Sequence, residues 1–224
     1  MESLKDKKAR AAKICALLKK IHPRVKTELR HENPFQLLIA TILSAQCTDE
    51  RVNMVTPGLF KKYPTPEAFA GAALPELEEA IHSTGFFRQK AKAIQGCSRG
   101  LIEKFGGKMP SEMDDLTSLP GVGRKTANLI RGVAFGLPAV IVDTHVRRLS
   151  GRLGLSDNTD PDKIEADLCE ILPPAEWTDF SNSLILHGRR VCGARKPNCP
   201  ECALRPHCPF PEKTGIVATT RKRK

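Results

Sequence analysis

The chain has 224 residues, with 36 Lys and Arg against 25 Asp and Glu, hence a formal charge of +11. Hydrophobic residues make up 40% and charged residues 27%, an ordinary globular composition that excludes wholesale disorder and is long enough for one large domain or two closely packed small ones. No apolar run approaches the ~18 residues a membrane helix needs.

The opening Met1-Glu2-Ser3-Leu4-Lys5-Asp6 goes straight into charge, so neither a signal peptide nor a transit peptide is expected. The positive balance points to an anionic partner: nucleic acid, acidic lipid or an acidic protein. Eight cysteines without a secretion signal suggest a reducing compartment, where metal or cluster ligation is the better reading than a disulfide framework.

From the N-terminus onward the elements are helical. Ile14, Leu17, Leu18 and Ile21 recur at helical spacing, as do Phe35, Leu38, Ile39 and Ile42. Thr65-Pro66 reads as an N-cap followed by proline at the first helical position. Ala91, Ile94, Leu101, Ile102 and Phe105 carry a further helix, which Gly106-Gly107 and then Pro110 stop. The segment 112–119 looks helical. Residues 139–142 form a short apolar run with no alternating partner, so evidence for strands is thin. Val146, Leu149, Ser150 and Leu153 resume the helical pattern, and Asp160-Pro161 repeats the capping signal. The expectation is an all-α protein of about nine or ten short helices joined by tight loops. The tail Arg221-Lys222-Arg223-Lys224 is expected to be disordered and to offer at most a nonspecific phosphate contact.

The stretch Leu119-Pro120-Gly121-Val122-Gly123-Arg124-Lys125-Thr126-Ala127 is the most informative. It is not a P-loop, because Arg124 separates Gly123 from Lys125 and Ser118 stands where the earlier glycine belongs. It is not a dinucleotide fingerprint, because no strand precedes it and it lacks a third glycine. The remaining reading is a helix, a Pro-Gly-Val-Gly turn and a second helix. Gly121 and Gly123 let the backbone approach another surface, and the free N–H groups at the start of the second helix form an anion site. A nucleic-acid phosphate suits this basic chain, and contacts to it from Gly121, Gly123, Arg124 and Thr126 would be sequence-independent.

Lys125 lies in the first turn of that second helix, where the helix dipole disfavours its charge; partial burial beside Arg124 would add to this. A lysine that is neutral part of the time is a nucleophile for Schiff-base chemistry. As a lone feature it reads first as a surface lysine or one more phosphate contact. Asp143, in Val142-Asp143-Thr144-His145, precedes a helical pattern and reads either as an N-cap or as a carboxylate that stabilises developing positive charge. The two roles can coexist.

Cys192, Cys199, Cys202 and Cys208 crowd into 17 residues with the spacing C-x6-C-x2-C-x5-C. Four thiolates suit tetrahedral zinc or an iron–sulfur cubane, and spacing alone does not choose between them. Cys15, Cys47, Cys97 and Cys169 read as small core residues.

Together these motifs resemble endonuclease III, the bifunctional DNA glycosylase and AP lyase of the helix-hairpin-helix superfamily. The hairpin stretch, Val142-Asp-Thr-His145 and the cysteine tail stand in the family's order. Asn33-Pro-Phe35, Leu43-Ser-Ala-Gln-Cys-Thr-Asp49 and Leu184-Ile-Leu-His-Gly188 also match, so the resemblance spans roughly residues 10 to 210. It implies two helical parts flanking a DNA-binding cleft: a six-helix barrel at 25–137 carrying the hairpin, and a cluster domain of 1–24 with 138–212, leaving 213–224 as a basic tail.

The resemblance further implies a [4Fe-4S] cluster on Cys192, Cys199, Cys202 and Cys208. The partner would be duplex DNA with damaged pyrimidines or abasic sites, met by a monomer in the cytoplasm at the nucleoid. Lys125 would attack C1′ of a flipped nucleotide and Asp143 would stabilise the oxocarbenium-like charge. β-Elimination from the imine would cut the strand 3′ to the abasic site. Gln46 would fill the gap opposite the lesion. Asp49, His145 and Arg190 would contribute near the DNA, Arg190 together with Arg189, Arg195 and Lys196. Phe86 and Phe87 occupy a loop that in the family more often carries Leu then Tyr and inserts an apolar wedge. Three rivals stand beside it: within the superfamily, an adenine-mismatch glycosylase, which has serine or another residue in place of Lys125; in a different class, a noncatalytic DNA-binding scaffold; and a zinc-stapled RNA-binding protein, which the lack of aromatic RNA-binding strands disfavours.

Overall fold

The computed structural model describes residues 2–23, 25 and 27–213; the basic tail at 221–224 lies outside the described residues. Among the described residues twelve α-helices succeed one another: α1 (Leu4–Ile21), α2 (Pro34–Leu43), α3 (Asp49–Lys62), α4 (Pro66–Ala70), α5 (Leu74–Ile81), α6 (Phe87–Phe105), α7 (Met113–Thr117), α8 (Arg124–Ala134), α9 (Thr144–Arg152), α10 (Pro161–Ile171), α11 (Trp177–Arg190) and α12 (Phe210–Lys213). The count exceeds the expected nine or ten; α4, α7 and α12 have only four or five residues each. The chain is all-α: among the described residues there is no strand, only an isolated bridge between Cys192 and Pro197. No described helix is long and apolar enough to cross a membrane.

Local chemistry accounts for the helix boundaries. Asn33, Thr48, Thr65, Asp143 and Asp160 each accept a backbone N–H of the succeeding turn, satisfying donors that the helix itself cannot. α6 stops at Gly106 (φ 59°) and Gly107 (φ 78°), whose N–H groups donate to the carbonyls of Ile102 and Leu101.

Packing divides the chain into two compact units, Thr27–Leu137 and Met1–Lys26 with Pro138–Lys224. The first holds α2 to α8. Its central element is α2, with eight of ten residues buried. A helix apolar on every side belongs inside, which is why Leu37 and Leu43 are buried along with the expected face of Phe35, Leu38, Ile39 and Ile42.

The second unit packs α1, α9, α10 and α11 around Ile14, Leu18, Leu149, Leu168 and Leu184. The apolar run 139–142 lies buried here outside any helix or strand. With no sheet to join, its N–H groups find side chains of α11: Ala139 donates to Thr178 Oγ1 at 3.2 Å and Ile141 to Ser181 Oγ at 3.1 Å. Those bonds fix the run-up to Asp143.

Candidate functional site

In the unit Thr27–Leu137, the turn 118–123 joins α7 to α8. Val122 is buried and anchors it, while Gly121, Gly123, Arg124 and Lys125 are exposed. Pro120 packs over α6 where side chains are absent: a Cβ on Gly96 or Gly100 would stand 3.4 or 3.2 Å from its ring. Gly121 has φ +78°, and a Cβ there would lie 3.1 Å from that of Ala93. Gly123 is the N-cap of α8 with no side-chain cap, and a Cβ there would meet open space. The N–H groups at the start of α8 therefore face outward, as an anion site requires.

Lys125 lies in the first turn of α8, but its side chain is exposed. The partial burial expected beside Arg124 is absent, because the turn lifts both side chains off the core.

Two loops flank this turn. Gln46 comes after α2 and is exposed; Phe86 precedes α6 and is 57% exposed. They are the non-glycine residues with positive φ among those described, at 53° and 49°. That conformation costs about 1–2 kcal/mol at each residue and persists where the surroundings enforce it. Gln46, Phe86, Gly121 and Thr126 line one groove of about 290 Å³. Four of the expected DNA contacts are thus brought together within a single unit. Asp49 stands at the start of α3, half-buried.

The adjacent phenylalanines part company. Phe87 packs against the core, its ring 4.4 Å from that of His82, and only Phe86 projects. Of the two, Phe87 thus already serves the packing of the fold, and Phe86 stands free of it.

Lys90 is a residue that motif reading misses. It is 5% exposed, and Nζ donates to the carbonyls of Leu43 and Thr84, each at 2.8 Å. Burial lowers its pKa from the ordinary lysine value. The available signal is its phase, since Lys90, Ile94, Cys97 and Leu101 share one face of α6.

In the other unit, Asp143 caps α9: Oδ1 accepts the N–H of Val146 at 2.7 Å. The N-cap reading is therefore correct, and it leaves Oδ2 for other work. His145 lies against Gly188, where a Cβ would come within 2.8 Å of Nδ1. Burial lowers the pKa of His145, Asp143 opposes this, and Arg148 and Arg189 lower it further. Arg148 Nη2 lies 3.2 Å from His145 Nδ1 and donates to the carbonyls of Gly188 and Cys192, tying α9 to the cysteine loop. Arg190, Arg195 and Lys196 are exposed at the head of that loop.

Cys192, Cys199, Cys202 and Cys208 line one largely apolar cavity, with Leu149 and Leu204. Among the described residues, no three His, Cys, Asp or Glu side chains converge closely enough to hold one ion. Four cysteine sulfurs around one apolar cavity are a donor set that suits either a zinc ion or an iron–sulfur cluster.

Burial raises the pKa of Cys199, Cys202 and Cys208, a cost that a metal bound to their thiolates would have to offset. Outer contacts are already present: Arg152 Nη1 donates to Cys192 Sγ at 3.2 Å, and His187 Nε2 lies 3.4 Å from Cys202 Sγ. His187 is itself held by His22, 3.2 Å from its other ring nitrogen.

An all-helical fold with a glycine hairpin, a lysine after it and a cysteine loop defines a class of helix-hairpin-helix DNA repair protein. The model of the HhH-GPD superfamily of base excision DNA repair proteins matches residues 39–174. Endonuclease III of Synechocystis is 54% identical over 93% of this chain and 96% of its own length. That of Escherichia coli is 38% identical over 93% and 99%. A trapped endonuclease III–DNA covalent intermediate superposes with a TM-score of 0.88 at 44% identity, covering 96% of this chain and 100% of that one. The chain therefore belongs to the endonuclease III family. It is an enzyme of base excision repair.

Proposed function

We propose that this enzyme is a bifunctional DNA glycosylase that removes oxidised pyrimidines from duplex DNA as a monomer, with AP lyase activity through a Schiff base on Lys125. The single observation carrying this reading is Lys125 itself. It is exposed in the first turn of α8, directly after an uncapped, outward-facing hairpin, in a chain of the endonuclease III family.

Each step rests on the chemistry of named groups. The α8 N–H groups and Arg124 hold phosphate without reading bases. Gln46 and Phe86 enter the stack and replace the contacts of the extruded nucleotide; a damaged base is the cheapest to extrude. Deprotonated Lys125 Nζ attacks C1′, the C1′–base bond breaks, and the base leaves with the electron pair. Asp143 stabilises the positive charge that develops at the sugar. Opening of the sugar yields the imine, which acidifies the 2′ hydrogen; loss of that proton expels the 3′ phosphate and cuts the strand. Cys192, Cys199, Cys202 and Cys208 would hold a [4Fe-4S] cluster, which when bound supplies a cross-link that shapes the loop bearing Arg195 and Lys196, next to Arg190, rather than chemistry at the sugar.

The test is product analysis on duplexes carrying either thymine glycol or an adenine–oxidised guanine mismatch. Base release with 3′ cleavage on the first supports the reading. Adenine release without cleavage on the second would replace it with a monofunctional mismatch glycosylase, and binding without product on both would leave a scaffold.

A further inference from the structure

Lys90 occupies a position where α6 would otherwise bury a hydrophobe. Its neighbours on the same face, Ile94, Cys97 and Leu101, are fully buried. Placing an ammonium there costs desolvation that a methionine or leucine would avoid. Both acceptors are carbonyls at the ends of helical segments: Leu43 is the last residue of α2, and Thr84 the last of a short 3₁₀ turn after α5. Such carbonyls lack partners within their own helix and carry the negative end of its dipole.

Each of these carbonyls stands at the root of a strained loop. Gln46 comes three residues after Leu43, and Phe86 two after Thr84. Both hold left-handed backbone, and both line the groove that Lys90 itself lines from beneath. One buried cation thus ties the stems of both loops.

We propose that Lys90 is a positioning residue: by clamping the carbonyls of Leu43 and Thr84 it sets the two loops so that Gln46 and Phe86 enter the duplex together. The inference rests on the proposed function, in which these two side chains enter DNA. Lys90 Nζ is committed to the carbonyls of Leu43 and Thr84. Its effect passes through the loops.

The experiment uses single-turnover excision of thymine glycol from a duplex, in wild-type protein and in a Q46A/F86A background, each with and without Lys90→Met. Methionine matches the length of lysine but donates no hydrogen bond. In the wild-type background the loss expected from misplaced insertion is on the order of 10- to 100-fold. In the Q46A/F86A background Lys90→Met should add nothing further, because the groups it positions are gone. Fluorescence of 2-aminopurine opposite the lesion should fall in parallel.

An equal loss in both backgrounds would overturn the proposal, since Lys90 would then act through the general fold. If Q46A/F86A alone leaves excision unchanged, the insertion reading fails instead, and the two failures are distinguishable. Should Lys90→Met not fold, Lys90→Gln serves: it keeps a donor but reaches at most one carbonyl. It should show the same dependence on Gln46 and Phe86 with a smaller loss; full activity in Lys90→Gln would also overturn the clamp.

Discussion

Asp143 Oδ1 accepts the N–H of Val146 at 2.7 Å, so the carboxylate assigned to the chemistry also closes the first turn of α9. The two duties separate by substitution. Asparagine caps a helix about as well as aspartate, whereas alanine gives up ~1 kcal/mol. Asp143→Asn should therefore keep wild-type stability in a urea titration, and Asp143→Ala should lose that amount. Both should lose on the order of 10²-fold in excision rate, because both remove the negative charge. An Asp143→Asn protein with full activity would reduce Asp143 to a cap.

The hairpin glycines make a second contrast. Gly121 has positive φ and Ala93 against it; Gly123 has ordinary extended backbone and open space. Gly121→Ala should cost about 1–2 kcal/mol in stability and weaken duplex binding as the turn shifts. Gly123→Ala should change stability by less than ~0.5 kcal/mol, yet still weaken binding, because its methyl group would stand where backbone and phosphate meet. Denaturant titration and fluorescence anisotropy on an undamaged duplex check both. Unchanged binding by Gly123→Ala would remove the hairpin from the DNA interface.

The cysteine loop predicts a metal readout. Cys202→Ala should abolish iron content and visible absorbance together. His187→Leu, which removes the imidazole between the Cys202 sulfur and His22 but leaves all four cysteines in place, should retain the group but hold it ~10- to 100-fold less tightly against a chelator. A Cys202→Ala protein with full visible absorbance would show that the ligand set is wrong.

Helix ends and turns are legible in the chain because capping and turn chemistry act locally. Thr65-Pro66, Asp160-Pro161 and Gly106-Gly107 end or begin helices where their side chains and torsions require. The hairpin and the cysteine spacing are equally local. Other features depend on contacts between residues far apart in sequence. Phe86 and Phe87 are indistinguishable until one packs against His82 and the core. His22 and His187 lie 165 residues apart, and no spacing rule links them. Lys90 is visible as a charge in phase with apolar neighbours, but its role requires both carbonyls. The exposure of Lys125 is likewise hidden from the sequence, because the docking of Pro120 over Gly96 and Gly100, which sets the height of the turn, is a tertiary contact.

Borohydride trapping on a duplex with one thymine glycol, with wild-type protein beside Lys125→Ala, addresses the lysine mechanism head-on. The expected result is a covalent protein–DNA adduct with the wild type alone, while Lys125→Ala still binds the duplex. An equal adduct from Lys125→Ala would assign the imine to another amine, and a wild type that releases base without any adduct would contradict the lysine mechanism altogether.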